Sequence, residues 1–437
     1  MLVGLYSCLT VRVLPEGSTL NSQESVKRYG DLHRHICTLD NIEIADANAR
    51  KHKKKNWGVI KHDKNRDKDN VELLNSLTNL SYTTSHYSTF KIYEPKERVI
   101  YRLPYYPDRI AHHAIMNIME PIWVKTFIAN TYSCIKNRGI HKLAKDLKKV
   151  LKSDVEGTRY CLKLDVKKFY PSIDHDVLKE VIRRKVKDVE LLMVLDEIID
   201  STSGVPIGNY LSQFFANLAL SYFDHWLKEE VGVKYYFRYA DDITILSDDK
   251  EFLRKVLILI KIYFKHVVRL EIKNNYQIFP VASRGIDFVG YRFYHTHTLL
   301  RKSIKYRMFR LINKYKSGKM TLEKFMDSMK SYFGWLKHCD SKNLLQKIEN
   351  DTGIHFSNWE GEDVNISDFY GRTIRVLEVV PYSGYYKIHF VYKGIPYSTN
   401  SRNKSLYLRL MSKADFPFDF KLISYVTSNK NRNKCRT

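Results

Sequence analysis

The chain has 437 residues, of which 44% are hydrophobic, and its 73 Lys and Arg outnumber 48 Asp and Glu for a formal net charge of +25. That length and apolar content exclude a disordered polymer and a single minimal core, and they fit a chain of several domains. The cationic surplus points to a polyanion, with nucleic acid as the default partner and a ribosomal or membrane-surface protein as the plainer reading.

The first residues, "MLVGLYSCLTVRVL", are apolar but carry no basic n-region or clear cleavage site, and are too short to span a membrane. They are expected to form an N-terminal extension over 1–27. Arg28 to Asn56 predicts a helix capped near Asp40 and ending in Lys51, Lys53, Lys54 and Lys55, a run that grips phosphates or simply solvates the helix end. His86 to Arg109 predicts two strands about a turn at Glu94-Pro95. The helix "IAHHAIMNIMEPIW" holds His112 and His113, which read as structural because no carboxylate or cysteine pattern accompanies them. The six cysteines (Cys8, Cys37, Cys134, Cys161, Cys339, Cys435) form no CxxC pair, which argues against a zinc ribbon or a disulfide framework and fits a reducing compartment.

"CLKLDVKKFYPSID" predicts a strand running into a turn, followed by the helix "HDVLKEVIRRKV". "GVPIGNYLSQFFANLALSYFDHWL" predicts a Gly/Pro loop and one long amphipathic helix. "KYYFRYADDITIL" predicts a hairpin, "EFLRKVLILIKIYFKHV" a helix, and "RGIDFVGYRFY" further strands. This order gives an α+β fold whose antiparallel sheet is covered on one face. From Thr298 to Ile348 the chain turns helical and basic. After Asp351, the alternating segments "RTIRVLEVV", "YYKIHFVYKG" and "SLYLRLMS", joined by turns at "PYSG" and "STNSRN", predict a small separate β-domain. Its Arg372, Arg375, Tyr385, Tyr386, Lys387, Tyr392 and Lys393 make either a nucleic-acid or partner platform or a solvated barrel wall.

Asp241 and Asp242 stand side by side at the tip of the hairpin, where like charges repel and gain nothing from packing. Hard divalent cations need clustered oxygen ligands drawn from more than one strand. Asp165, at the end of an otherwise apolar strand, supplies a third carboxylate. Should these meet across the sheet, two Mg²⁺ ions could clamp a triphosphate and an attacking 3′-hydroxyl for in-line phosphoryl transfer.

With these residues in view, "YADD" resembles the Tyr-x-Asp-Asp box of reverse transcriptases, and "LDVKKFYPSI" resembles their first catalytic strand. The resemblance covers Arg28 to Ile348 and implies a right-hand polymerase fold plus the small C-terminal β-domain. It divides the chain into fingers and the start of the palm (28–164), palm (165–297), helical thumb (298–350) and β-domain with a basic tail (351–437). It implies that Asp165, Asp241 and Asp242 are catalytic and, with Val166, bind two Mg²⁺ ions, Mn²⁺ being the alternative metal. Lys96 and Arg98 would hold the triphosphate. Tyr170 would exclude a ribose 2′-hydroxyl, and Ile207 and Gly208 would line the nucleotide site. Asn209, Gln213, Tyr239, Gly290 and Tyr291 would meet template and primer, the last two in a hairpin resembling the primer grip.

Most bacterial relatives, such as group II intron and retron enzymes, have a Gln-Gly pair where this chain has Ile207-Gly208. With "EPIW" and "FIANTYSCIKNRGIH" upstream, that pattern resembles reverse transcriptases of diversity-generating retroelements. The resemblance implies a cytoplasmic, bacterial or phage-encoded enzyme copying a template RNA into cDNA with errors at adenines. Its partners would be template RNA, primer, deoxynucleoside triphosphates and a basic helical accessory protein, with no membrane. A defence-associated reverse transcriptase acting on a non-coding RNA is the alternative within enzymes, and a non-catalytic maturase-like RNA-binding protein the alternative outside them. One departure concerns "LEIKNNYQIF", which lacks the Asn-x-x-Lys-Thr stretch of group II relatives, so a general-acid lysine has only Lys273 as a candidate.

Overall fold

The computed structural model describes residues 27–93 and 97–352, together with strands of a β-region that follows. The chain divides into two units, Met1–Arg301 and Lys302–Thr437. Residues 1–26 and the turn at Glu94-Pro95 lie outside the described residues, as do Lys96, Arg372, Lys393 and the segment "SLYLRLMS".

The first unit opens with helices. Thr38, not Asp40, caps the helix Leu39–Ala49, its side chain accepting the Asn41 N–H at 3.2 Å. The helix stops at Ala49, so Lys51 to Lys55 form turns beyond it rather than a helical end. The strands β1 (Ser88–Ile92) and β2 (Arg98–Arg102) pair antiparallel, Ile92 opposite Arg98. Ile110–Val124 forms the expected helix, with His112 buried inside it. Burial pushes the His112 imidazole down to about 3 and His113 down to about 4, both helped by neighbouring cations, so both rings stay neutral.

The central sheet contains β3 (Tyr160–Asp165), β4 (Tyr235–Tyr239), β5 (Asp242–Ser247) and β6 (Gln277–Pro280), ordered β4-β5-β3-β6 and antiparallel throughout. Leu162 and Leu164 of β3, with Ile243 and Ile245 of β5, enter one core with Leu253, Val256 and Ile260 of the helix Lys250–Tyr263. The opposite face is covered as well, since Thr244 and Leu246 are also buried. The covering element is a small sheet of β7 (Ile286–Phe288), β8 (Tyr291–Phe293) and β9 (Thr298–Leu300), and Lys163 of β3 reaches up to Phe288 within it. The one-sided sheet expected from sequence is therefore two-sided, because the third layer comes from strands too short to announce a packing face.

Where one long helix was expected after the Gly/Pro loop, there are two, Tyr210–Ala219 and Ser221–Glu229, broken at Leu220. Nearly every side of Tyr210–Ala219 is buried, Gln213 excepted, whereas Ser221–Glu229 keeps one buried face with Ser221, Phe223, Asp224 and Leu227. Residues Thr298–Leu300 belong to β9, and the helical stretch starts at Lys302.

In the second unit, the helices Lys302–Lys316, Leu322–Leu336 and Lys342–Thr352 come first. A five-stranded sheet follows, in the order β10-β13-β12-β11-β14. Its strands are β10 (Glu362–Asp363), β11 (Thr373–Tyr382), β12 (Tyr385–Tyr392), β13 (Ile395–Ser401) and β14 (Phe418–Lys421). The polar stretch read as a turn, "STNSRN", instead begins inside β13, which pairs with β12 along its whole length, Ile395 opposite Tyr392. Ladder pairing outweighs the weak strand preference of Ser and Asn.

Candidate active site

Asp165 closes β3, and its Cα partner across the ladder is Asp242, the first residue of β5. Tyr239 pairs with Asp242, so the hairpin between β4 and β5 turns through only two residues, Ala240 and Asp241. Ala240 sits at φ 54°, a left-handed conformation in which a side chain is strained. What holds it is Arg238, fully buried one strand position before the turn. Its Nη1 donates to the Ala240 carbonyl at 3.0 Å and to Asn217 Oδ1 at 3.3 Å, while Nε and Nη2 engage Asp224 at 2.7 and 2.5 Å. Asp224 also accepts hydrogen bonds from Tyr236 at 2.5 Å and Thr131 at 2.9 Å. A buried, fully partnered network thus fixes the backbone that carries the acidic pair.

The turn points Asp241 at Asp165. Burial first, and then the Asp165 carboxylate beside it, push the Asp241 carboxyl up to about 7. The Val166 N–H donates to the Asp241 carbonyl at 3.4 Å, tying the two chain segments below the side chains. Lys273 approaches Asp165 from the next segment, its Nζ donating to Oδ2 at 2.6 Å while its own N–H donates to the Asp165 carbonyl at 2.9 Å.

Asp242 behaves differently. Its carboxylate faces Lys163, whose Nζ lies 3.1 Å from Oδ1 and donates to Oδ2 at 3.2 Å. Burial raises the Asp242 carboxyl above its usual range while Lys163 works against that shift. No group of three or more His, Cys, Asp or Glu side chains suited to a metal occurs among the described residues. The donor set of Asp165, Asp241 and Asp242 fits hard cations. Asp165 Oδ1 and Asp242 Oδ1 are both buried without a hydrogen-bond partner, and a carboxylate oxygen left that way is costly unless a cation or ligand meets it.

Around this pair the other sequence candidates fall at different depths. Tyr170 is half-buried, and its hydroxyl is pushed upward by burial and by nearby Cys134 and Asp241, with the positive charge of Arg98 partly offsetting them. Arg98 of β2 is thus within electrostatic reach of Tyr170, whereas Lys96 lies outside the described residues. Ile207 accepts the Tyr101 N–H at 2.8 Å, which docks the loop onto β2. Gly208 adopts φ 128°, and a Cβ there would lie 2.3 Å from the Tyr101 carbonyl oxygen. Asn209 is buried and donates to the Tyr87 hydroxyl at 3.2 Å, so its side chain serves the loop rather than a template. Gln213 is exposed, the one outward residue of its helix. Tyr239 is half-buried beside the hairpin turn.

Gly290 and Tyr291 are a correction. Both are buried, and the Tyr291 ring faces inward from β8, so neither side offers a contact surface for a primer. A hairpin of short strands buries alternate residues, and the odd-numbered ones, Tyr291 and Phe293, took the inner face. Lys163 and Arg238 were missed altogether by sequence reasoning. For Arg238 the signal was present, a charged residue inside an otherwise apolar strand, but its partner Asp224 stands in another element.

Residues 94–293 match the family model described as reverse transcriptase (RNA-dependent DNA polymerase). Protein YkfC of Escherichia coli (strain K12) is 23% identical over 271 residues, covering 51% of this chain and 69% of that protein. The group II intron-encoded protein LtrA of Lactococcus lactis subsp. cremoris is 24% identical over 136 residues, covering 29% of this chain and 22% of that protein. Among solved structures, apo telomerase from Candida tropicalis aligns at a TM-score of 0.37 and 12% identity, covering 49% of this chain and 48% of that one. No described helix is long and apolar enough to cross a membrane. The acidic hairpin and the strand that faces it both lie within residues 94–293, the segment that matches the reverse transcriptase model.

Proposed function

We propose that the chain is an RNA-directed DNA polymerase of right-hand architecture, using Asp165, Asp241 and Asp242 to hold two Mg²⁺ ions. The observation that carries this reading is the juxtaposition of these carboxylates by the β3–β5 ladder and the two-residue turn, with a buried, unpartnered oxygen on each of Asp165 and Asp242. Bound divalent metal supplies charge neutralisation for the attacking hydroxyl and the transferred phosphoryl group. Asp165, Asp241 and Asp242 would orient it, with the Val166 carbonyl as a further oxygen donor. Arg98 attracts the triphosphate toward Tyr170, whose ring blocks a ribose 2′-hydroxyl. Lys273, already at hydrogen-bond distance from Asp165, is placed to give a proton to the departing pyrophosphate. Primer extension on an RNA template with Mg²⁺ tests the reading: extension by the native chain and its loss in Asp241→Asn are expected. Equal activity of the two proteins removes the assignment.

Within that activity we infer an error-prone role of the diversity-generating retroelement kind, working on a template RNA with a basic helical accessory protein. The support is the half-exposed Ile207 in place of a hydrogen-bonding Gln, at a loop whose backbone is already committed to Tyr101. An aliphatic side chain at that place removes a polar check on the nascent base pair. Ile207→Gln is expected to reduce misincorporation opposite adenine. An unchanged error spectrum leaves the defence-associated reading ahead.

A further inference from the structure

The segment from Gly204 to Asn209 belongs to no helix or strand, yet four of its residues are tied to other elements. The Val205 N–H donates to the Tyr170 carbonyl at 2.8 Å, the Ile207 carbonyl accepts the Tyr101 N–H at 2.8 Å, and Asn209 donates to the Tyr87 hydroxyl. The fourth tie is His175, the first residue of the helix His175–Arg183. Its Nε2 lies 2.9 Å from the Gly204 carbonyl oxygen, and its Nδ1 lies 3.1 Å from Asp200 Oδ1 at the end of the helix Val189–Asp200. A carbonyl and an ionised carboxylate only accept, so a ring with a single N–H satisfies one of them and the imidazolium satisfies both. Asp200 supplies the counter-charge, and its other oxygen is held by Lys179 Nζ at 2.5 Å. The backbone makes the contact at Gly204 tight: its φ is 62°, and a Cβ there would lie 2.4 Å from the Pro171 carbonyl oxygen. Gly204 and Val205 thus interlock with Tyr170 and Pro171, and Tyr170 lies within electrostatic reach of Asp241.

We propose that His175 is a positioning residue for sugar selection: by holding the Gly204 carbonyl it locks the root of the loop against Tyr170 and so fixes where the Tyr170 ring stands beside the acidic turn. The inference rests on the polymerase reading above, in which Tyr170 blocks a ribose 2′-hydroxyl, and deepens it. The contacts give the order of action. Asp200 orients the imidazole, the imidazole holds Gly204, and the neighbouring Val205 N–H holds the Tyr170 carbonyl. His175 touches neither aspartate of the turn, so its loss leaves the metal ligands in place and loosens only the wall against which the sugar is sorted. Discrimination against one added hydroxyl depends on a wall that cannot give way, because the pocket must refuse a group only slightly larger than the one it accepts. A loosened wall therefore admits the ribonucleotide while the deoxynucleotide reacts as before.

The test uses the full chain with two substitutions that divide the contacts of the ring. In His175→Gln the amide reaches the place of Nε2 and keeps a donor for the Gly204 carbonyl. In His175→Asn the shorter amide stands at the place of Nδ1 and keeps only the Asp200 contact. Melting temperature, kcat and KM are measured with a deoxynucleotide and with the matching ribonucleotide. In His175→Asn the preference for the deoxynucleotide is expected to fall about tenfold, the size a lost charge-assisted hydrogen bond carries, while kcat with the deoxynucleotide stays within about twofold. His175→Gln should keep most of the preference. Because His175 acts through Tyr170, adding His175→Asn to Tyr170→Ala should cost no further preference. If His175→Asn does not fold, Asp200→Asn removes the counter-charge of the ring and is expected to shift the preference in the same direction. An unchanged preference in folded His175→Asn, equal losses in His175→Asn and His175→Gln, or a further loss on top of Tyr170→Ala overturns the proposal. Full preference retained in Tyr170→Ala removes Tyr170 as the sugar gate and the proposal with it. A native chain that extends no primer instead overturns the polymerase reading itself.

Discussion

Lys273 Nζ lies 2.6 Å from Asp165 Oδ2, so in the metal-free protein a lysine supplies the positive charge that a divalent cation would bring to the same carboxylate. The two cations compete for Asp165. Lys273→Met is therefore expected to lower the Mg²⁺ concentration needed for half-maximal binding by about threefold to tenfold, a charge effect of the size seen for close pairs at partly exposed sites. Calorimetry of Mg²⁺ or Mn²⁺ binding checks this, and weaker binding in the variant would show that Lys273 helps to build the site.

The Asp241 carboxyl, held up at about 7, makes stability depend on pH in a definite direction. Its folded value lies above the ordinary carboxylate range, so the folded protein holds this proton more tightly than the unfolded chain. The stabilising contribution is complete below about pH 4 and is lost as pH rises through about 7. For this group, metal-free protein should be penalised progressively between those limits, and added Mg²⁺ should stabilise more at pH 8 than at pH 5. Thermal melts with and without Mg²⁺ at the two pH values measure the difference. In Asp241→Asn the increase in Mg²⁺ stabilisation with pH should largely disappear.

Arg238 and Asp224 form a fully buried ion pair with no exposed side-chain area on either partner. Removing one partner strands the other charge in the core, which costs about 3–5 kcal/mol. Arg238→Met should destabilise by that amount in urea unfolding. Because Arg238 also holds the Ala240 carbonyl, primer extension should fall in the fraction that remains folded. Joining Arg238→Met with Asp224→Leu should cost less than the sum of the single changes, since the double variant leaves no unpaired charge.

Gly208 is demanded by the backbone rather than by the base pair. A methyl group at this position would strike the Tyr101 carbonyl oxygen, at a φ of 128° that L residues rarely adopt. Gly208→Ala should lose about 1–3 kcal/mol of loop stability and raise the nucleotide KM. Ile207→Gln should leave the melting temperature nearly unchanged. Equal effects of the two substitutions on melting would mean that the Ile207 side chain, and not only its carbonyl, supports the loop.

The alternation in "CLKLD" and "YYFRYADDITIL", with charged residues only at strand ends and turns or singly within, was enough to read two strands, a tight hairpin and three aspartates that belong together. Local sequence decided the strands and the hairpin because alternation and a two-residue turn are short-range, whereas Asp165 joins the hairpin only through the β3–β5 ladder. It could not show which aspartates face each other. That depends on a left-handed Ala240 braced by Arg238, and on Lys163 claiming Asp242, both contacts made across separate elements. For the same reason Tyr291 read as a surface contact and proved buried, and a helix read as continuous breaks at Leu220 into two. What the amino-acid order determined by itself was the adjacent aspartates of the hairpin, the basic surplus and the alternation of strand and helix. Tertiary structure alone decided the geometry of charge at the site, because a buried carboxylate takes its orientation from whichever cation the fold brings within reach.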